Sequence, residues 1–246
     1  MNNIKCDLHI HSIASGHAFN TIDECSSYAF LNQYSVIGIS DHGPSMEGAP
    51  HLGYFEMLYR LPKDNNGIRM LYGCEANILD EEGTLDISND ILKTLDYTMA
   101  GLHKRTPYMG TSKEKNTKAI INAIKQGMVD IITHPVSWNF PIDIYSIIDV
   151  ASEYNVLLEA NKTILLEALY RKKENTIVDY KKILMEAESA GVHIIWGSDA
   201  HHVSEMLLSD QEFQYLSSVY EFDFSKVINN KPDDLLTLLY NRRQGK

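Results

Sequence analysis

Seven short, β-rich apolar runs recur along the chain with helical patterns between them, and this alternation limits the fold more than any other feature. The runs are 4–10 (IKCDLHI), 36–40 (VIGIS), 69–76 (RMLYGCEA), 97–102 (YTMAGL), 129–133 (VDIIT), 156–160 (VLLEA) and 193–197 (HIIWG). Strands that are apolar on both faces need cover on both, and strand–helix repeats supply it by building a parallel sheet. Helices are expected at 22–34, 54–61, 116–126, 143–155, 175–190, 209–220 and 232–243. Thr21 with Glu24 reads as a capping box, and Gly127 and Gly191 stand where helices would stop. The stretch 79–86 (LDEEGTLD) reads as a hairpin or loop inserted after the third strand. With no Pro/Gly/Ser linker and no internal repeat, one α/β domain over 1–246 is expected, either a closed or nearly closed barrel or a doubly wound open sheet.

Both architectures place chemistry at the C-terminal ends of their strands. Just past the seven runs stand His9 and His11, His42, Glu75, His103, His134, Asn161, and Asp199 with His201. In a barrel these ends converge on one mouth, so seven histidines, counting His17, would share a small volume with two carboxylates. Imidazoles crowded that closely without a cation would be poorly solvated and would depress one another's pKa. A metal site is therefore expected. Residues i and i+2 of a strand face the same way, so His9 and His11 can grip one ion together, and Asp199 with His201 forms a second such pair. Glu75 is long enough to bridge two ions. Imidazole with a few carboxylates suits Zn(II), with Mn(II) or Fe(II) as alternatives. Glu75 and Asp199 offset part of the charge of three divalent ions, leaving about +4, a pocket that attracts an anion such as phosphate.

Composition excludes other classes. Lys and Arg number 22 against 33 Asp and Glu, a net charge of −11, and no basic stripe is present to track a nucleic acid. No apolar run approaches a membrane span, and MNNIKCDLHIH is unlike a secretory leader, so no membrane association and a cytoplasmic location are expected. Cys6, Cys25 and Cys74 are odd in number and far apart, which argues against disulfides and cysteine–zinc knuckles.

DLHIHSIASGHAFNT, SDHGPSMEGAPH, GCEANI, AGLH, ITHP and GSDAH occur in this order at successive strand ends. With these segments the chain resembles the PHP (polymerase and histidinol phosphatase) family, and within it the YcdX-type stand-alone bacterial phosphatases. The resemblance implies a distorted seven-stranded (β/α)7 TIM-like barrel with a trinuclear metal centre at the C-terminal strand ends. It implies a first ion on His9, His11, Glu75 and Asp199, a second on Glu75, His103 and His134, and a third on His17, His42 and His201. The implied activity is metal-dependent hydrolysis of a small phosphate monoester, with attack by a metal-bridging hydroxide and with Glu75, Asp199 and His201 as the catalytic residues. A phosphodiesterase or exonuclease, an amidohydrolase-like hydrolase and a non-catalytic metal-binding barrel are the alternatives.

Lys104 and Arg105, which follow His103, depart from the pattern expected of the nearest relatives and are candidates to hold substrate, as are His51 and Asn161. For Asn161, capping of a helix is the competing role. Asp7 and Asp41 either orient ligand imidazoles or bond to backbone. His202 competes with His201, and the D-x-H spacing of the family selects His201. His193 opens its strand at the end away from the mouth and is excluded. Self-association is left open, since the C-terminal helix with Leu235, Leu236, Leu238 and Leu239 has either the barrel or a second copy to pack against.

Overall fold

A computed structural model describes residues 4–110 and 112–244. In chain order the elements are β1 (Cys6–Ile10), α1 (Ile22–Leu31), β2 (Val36–Ile39), α2 (Leu52–Met57), β3 (Asp64–Asn65), β4 (Ile68–Tyr72), β5 (Glu75–Asn77), α3 (Asn89–Leu92) and β6 (Met99–Gly101). There follow α4 (Lys113–Lys125), β7 (Ile131–Ile132), α5 (Ile144–Tyr154), β8 (Leu157–Asn161), α6 (Lys162–Tyr170), α7 (Glu174–Ser189), β9 (Ile194–Gly197), α8 (Asp210–Tyr220) and α9 (Pro232–Gln244). Helix ends follow local chemistry. The Thr21–Glu24 capping box forms in both directions. Helix α1 stops short of the expected Tyr34 because Gln33 takes a left-handed backbone (φ 62°), which lets the Tyr34 N–H turn back onto Ala29 O. Helix α6, which the sequence pattern did not reveal, starts directly from β8, where the Asn161 side chain accepts the Ile164 N–H.

The strands form two sheets, ordered β1-β2-β4-β3 and β5-β6-β7-β8-β9, parallel throughout except for β3. The fold is mixed α/β with parallel sheets, as expected, but the sheets do not close into a seven-stranded barrel. The run expected at 69–76 breaks at Gly73–Cys74, so that β4 pairs with β2 while β5 pairs with β6. Between the two sheets the pairing is reduced to single parallel bridges, Ile10 with Ala200 and His42 with Glu75.

The sheets nevertheless enclose a common interior. Cys6, Leu8, Val36, Leu71, Met99, Ile131, Leu157 and Ile195 form an inner core, and Leu235 and Leu239 of α9 plug it from below. A larger core lies between sheets and helices. Along four strands the inward positions run from an apolar residue to a glycine and then, within two or four residues, to a polar one: Val36-Gly38-Ser40-His42, Leu71-Gly73-Glu75, Met99-Gly101-His103 and Ile195-Gly197-Asp199. A Cβ at any of these glycines would fall within 3.0 Å of a neighbouring side chain. Gly38 and Gly73 make room for the Tyr97 ring, while Gly101 and Gly197 make room for Thr133 with His134 and for Glu159 with His9, so the latter two let large polar groups sit directly above the apolar floor. Strand β1 reaches the same result by a bulge, since its register against β2 slips by one residue between Asp7 and Ile10. That slip turns Leu8 and then His9 and His11 to the same interior.

The open lower end is held by charge. Asp130, fully buried, receives Arg242 Nε at 3.1 Å and pairs with Arg243, and Arg242 also donates to the carbonyls of Val129 and Asn155. Removing the shared carboxylate strands two guanidinium groups against the sheet. Asp130→Ala is expected to cost about 3–5 kcal/mol, which for a chain this size lowers Tm by about 10 °C. Thermal unfolding followed by circular dichroism checks this, and an unchanged Tm would contradict it.

Candidate metal centre

The Glu75 carboxylate, 1% exposed, is the hub of the mouth. Its Oε1 lies 3.2 Å from His9 Nε2, 3.0 Å from His103 Nε2 and 3.1 Å from His134 Nε2. Its Oε2 lies 2.8 Å from His42 Nδ1 and 3.5 Å from His11 Nε2. Asp199 Oδ1 approaches His9 Nε2 and His11 Nε2 at 3.5 and 3.3 Å. Toward solvent, the His201 ring stacks on His11 with centroids 4.3 Å apart and on His17 at 4.8 Å, and His17 also stacks on His42 at 5.0 Å. All nine residues expected from the sequence therefore meet in one volume. Its floor is buried, His201 is partly open and His17 is exposed.

The donor set fits cations. Two pairs of imidazole nitrogens face each other at 3.1 Å, His9 Nε2 with His11 Nε2 and His103 Nε2 with His134 Nε2. Buried His42 Nδ1, His103 Nδ1 and Glu75 Oε2 have no well-formed hydrogen bond. Three groups have ligand atoms close enough to share an ion: His9, His11 and Asp199; His42, Glu75 and His103; and His11, His42 and His201. The second implied set, Glu75, His103 and His134, also lies together, with ligand atoms 3.0–3.1 Å apart, and His42 approaches Glu75 and His103 in addition, whereas in the third group His11 stands where His17 was placed.

Electrostatics agrees with this arrangement. Burial raises the pKa of Glu75, but the histidines around it, His103 and His9 foremost, outweigh burial and hold the carboxyl well below its usual range. Asp199 is lowered in the same way, burial being outweighed chiefly by His9. Burial and the neighbouring His42 hold His11 well below the ordinary imidazole value, so its nitrogen is free to ligate. For His9, burial is outweighed by Glu159, Glu75 and Asp199, and the imidazole is raised well above its ordinary value. Two ligand residues also carry left-handed backbone, His134 at φ 28° and Asp199 at φ 56°. Strain of this kind persists where surrounding structure imposes it.

The layer behind the ligands fixes His11. Asp41 accepts Ser12 N and Ser12 Oγ at 2.7 Å each, Ser15 Oγ at 2.7 Å and Tyr54 OH at 2.5 Å. Ser15 gives its only hydroxyl hydrogen to Asp41, so it must accept from His11 Nδ1 at 3.0 Å, which leaves the His11 Nε2 lone pair facing Glu75 and Asp199. Asp41 thus orients an imidazole through a serine. Asp7 takes the other role left open for it and bonds the backbone N–H groups of His9 and Ser198, and burial pushes its carboxyl up to about 6.

The remaining candidates separate clearly. Asn161 caps α6 and donates to Glu159 and to Asp199 Oδ2 at 3.3 Å. His51 caps α2 by accepting the Gly53 N–H. Lys104 and Arg105 are exposed and, among the described residues, form no ion pair. His202 caps a short turn rather than joining the cluster, and His193 lines a cavity at the opposite end of the strands. Sequence reasoning missed Glu159, whose carboxylate bonds His9 Nδ1 at 2.6 Å. Its signal was a charged residue inside the apolar run VLLEA, since buried glutamate is rare without partners.

The model of the PHP domain matches residues 7–178. The chain belongs to the PHP domain family. It is 39% identical over 238 residues to a "probable phosphatase" of Caldanaerobacter subterraneus subsp. tengcongensis, covering 97% of this chain and 92% of that protein. It is 37% identical over 234 residues to a "probable phosphatase" of Proteus mirabilis, covering 95% and 93%. Its fold is similar to the crystal structure of histidinol phosphate phosphatase from Lactococcus lactis subsp. lactis, complexed with Zn, L-histidinol and phosphate. The TM-score there is 0.60 at 14% identity, over 89% of this chain and 93% of that one. Among the described residues of this PHP protein, no helix is long and apolar enough to cross a membrane.

A cation bound here stabilises the folded chain by mass action. Zn(II) at about a hundredfold over its Kd is expected to add roughly 2.7 kcal/mol and raise Tm by about 5–10 °C, reversibly with EDTA. Differential scanning fluorimetry checks this, and a Tm indifferent to both additions would contradict it.

Proposed function

We propose that this PHP protein is a single-domain, metal-dependent phosphomonoesterase with a trinuclear centre. The observation that carries the reading is the division of labour at Glu75. Its carboxylate lies within 3.5 Å of the His9–His11 pair and of the His103–His134 pair, each pair with facing nitrogens 3.1 Å apart, so a single buried carboxylate serves two separate imidazole pairs. That is the arrangement of a bridging ligand. The curated relatives' names, both "probable phosphatase", support the same activity.

In this reading His9, His11 and Asp199 hold one ion with Glu75, His103 and His134 hold a second with the same carboxylate, and His17, His42 and His201 hold a third. When bound, divalent ions, Zn(II) first, supply Lewis-acid charge to phosphoryl oxygens and acidify water near neutral pH. The chain's own contribution is placement. Glu75 and Asp199, ionised by the imidazoles around them, hold negative charge at the floor of the mouth. His17 and His201 stand at its opening, where a substrate phosphoryl group arrives. The substrate in this reading is a small phosphate ester, and Lys104 and Arg105, exposed and next in sequence to His103, are the candidates to meet a second anionic group on it.

Glu75→Ala removes the shared ligand. The expected result is a fall in kcat of about 100-fold or more on p-nitrophenyl phosphate, with loss of bound metal by mass spectrometry. Wild-type turnover with full metal content would contradict the mechanism.

A further inference from the structure

Strand β8 carries a charge that lies outside the strand-end pattern. Glu159 sits two residues before the end of the strand, 1% exposed, on the inward side with Leu157. Its carboxylate takes four hydrogen bonds. Oε1 accepts from His9 Nδ1 at 2.6 Å, and Oε2 accepts from Thr133 Oγ1 at 2.8 Å, the His134 backbone N–H at 2.6 Å and Asn161 Nδ2 at 3.0 Å. A carboxylate has about four acceptor positions, and here it takes four donors, three of them gathered on Oε2.

Each bond reaches a different part of the metal centre. With its Nδ1 hydrogen directed at Glu159, His9 has its Nε2 facing Glu75 and Asp199, and the neutral imidazole that a metal requires would present its lone pair there. The His134 N–H belongs to a residue in a left-handed backbone, so Glu159 secures the strained turn that presents that ring. Asn161 shares its amide between Glu159 and Asp199 Oδ2. Room for the carboxylate comes from β9, where a Cβ on Gly197 would stand 1.8 Å from Glu159 Oε1.

We propose that Glu159 is the positioning residue of the metal centre, one buried carboxylate that fixes the His9 tautomer and anchors His134 and Asp199. The proposal rests on the metal-dependent reading given above. Glutamine cannot replace Glu159, although it has the same shape. An amide offers one oxygen to four donors and turns its NH2 against the rest. Gly197→Ala should act alike, because the added methyl occupies the position of the carboxylate.

The test is the Zn(II) Kd of the full chain by competition with a chromophoric chelator, together with the His9 tautomer from long-range 1H–15N correlation of the metal-free protein at an alkaline pH where the imidazole is neutral. Glu159→Gln is expected to weaken Zn(II) binding by about 10–100-fold and to introduce the Nε2–H tautomer of His9, with Gly197→Ala following it. Thr133→Val, which removes one donor to Glu159 and the 3.1 Å contact in which Thr133 Oγ1 accepts from His9 Nδ1 while keeping the side-chain shape, is expected to weaken binding less and in the same direction. A Kd within twofold of wild type with His9 still protonated at Nδ1 overturns the proposal. Should Glu159→Gln fail to fold, Thr133→Val decides by the same two readouts, and wild-type values overturn it. A wild-type chain that binds Zn(II) yet cleaves no phosphate ester sinks the functional reading instead, and the affinity ratio still decides the role of Glu159.

Discussion

Five imidazoles within 3.5 Å of one buried carboxylate is the contact on which the rest of this structure depends. A carboxylate without solvent costs several kcal/mol unless opposite charge or strong donors surround it. The fold therefore has to deliver histidines from β1, β2, β6 and β7 to one point while keeping water out. Two open sheets curved around a shared interior accomplish this. The histidines around Glu75 lie at or just past the C-terminal ends of β1, β2, β6 and β7, Glu75 itself opens β5, and none of these needs a long loop to reach the centre.

The same requirement explains the layer beneath. Side chains as large as histidine and glutamate cannot sit over a floor of equally large residues, and glycines at 101 and 197 open the needed space, while those at 38 and 73 admit the Tyr97 ring below. Below them the apolar inner core, the α9 plug and the Asp130 clamp with Arg242 and Arg243 make the floor rigid. Behind the ligands, hydrogen bonds running outward from His9 and His11 end on Glu159 and, through Ser15, on Asp41. Rigid floor, bare glycine layer and oriented rings are successive answers to one electrostatic demand.

Much of this was legible in the sequence because its signals are local. A strand followed by a ligand is a pattern of a few residues, and H-x-H, D-x-H and the carboxylate of GCEANI could each be placed without knowing the topology. What escaped was set by tertiary pairing. Nothing in RMLYGCEA marks that Gly73–Cys74 passes the chain from one sheet to the other, and α6 begins inside a segment whose helical signal runs on into the next helix. Which ligands stand nearest one another also depended on curvature, so His42 joins Glu75 and His103 in addition to His134, and His11 stands with His42 and His201. Glu159 was visible as an oddity in VLLEA, but only the approach of β1, β7 and β9 gives it partners.

The most direct test of the account is anomalous X-ray diffraction at the zinc edge from crystals grown with Zn(II). The account predicts three anomalous peaks inside the histidine cluster, two of them joined by the Glu75 carboxylate. A well-ordered structure with no anomalous signal among His9, Glu75 and Asp199 would contradict it.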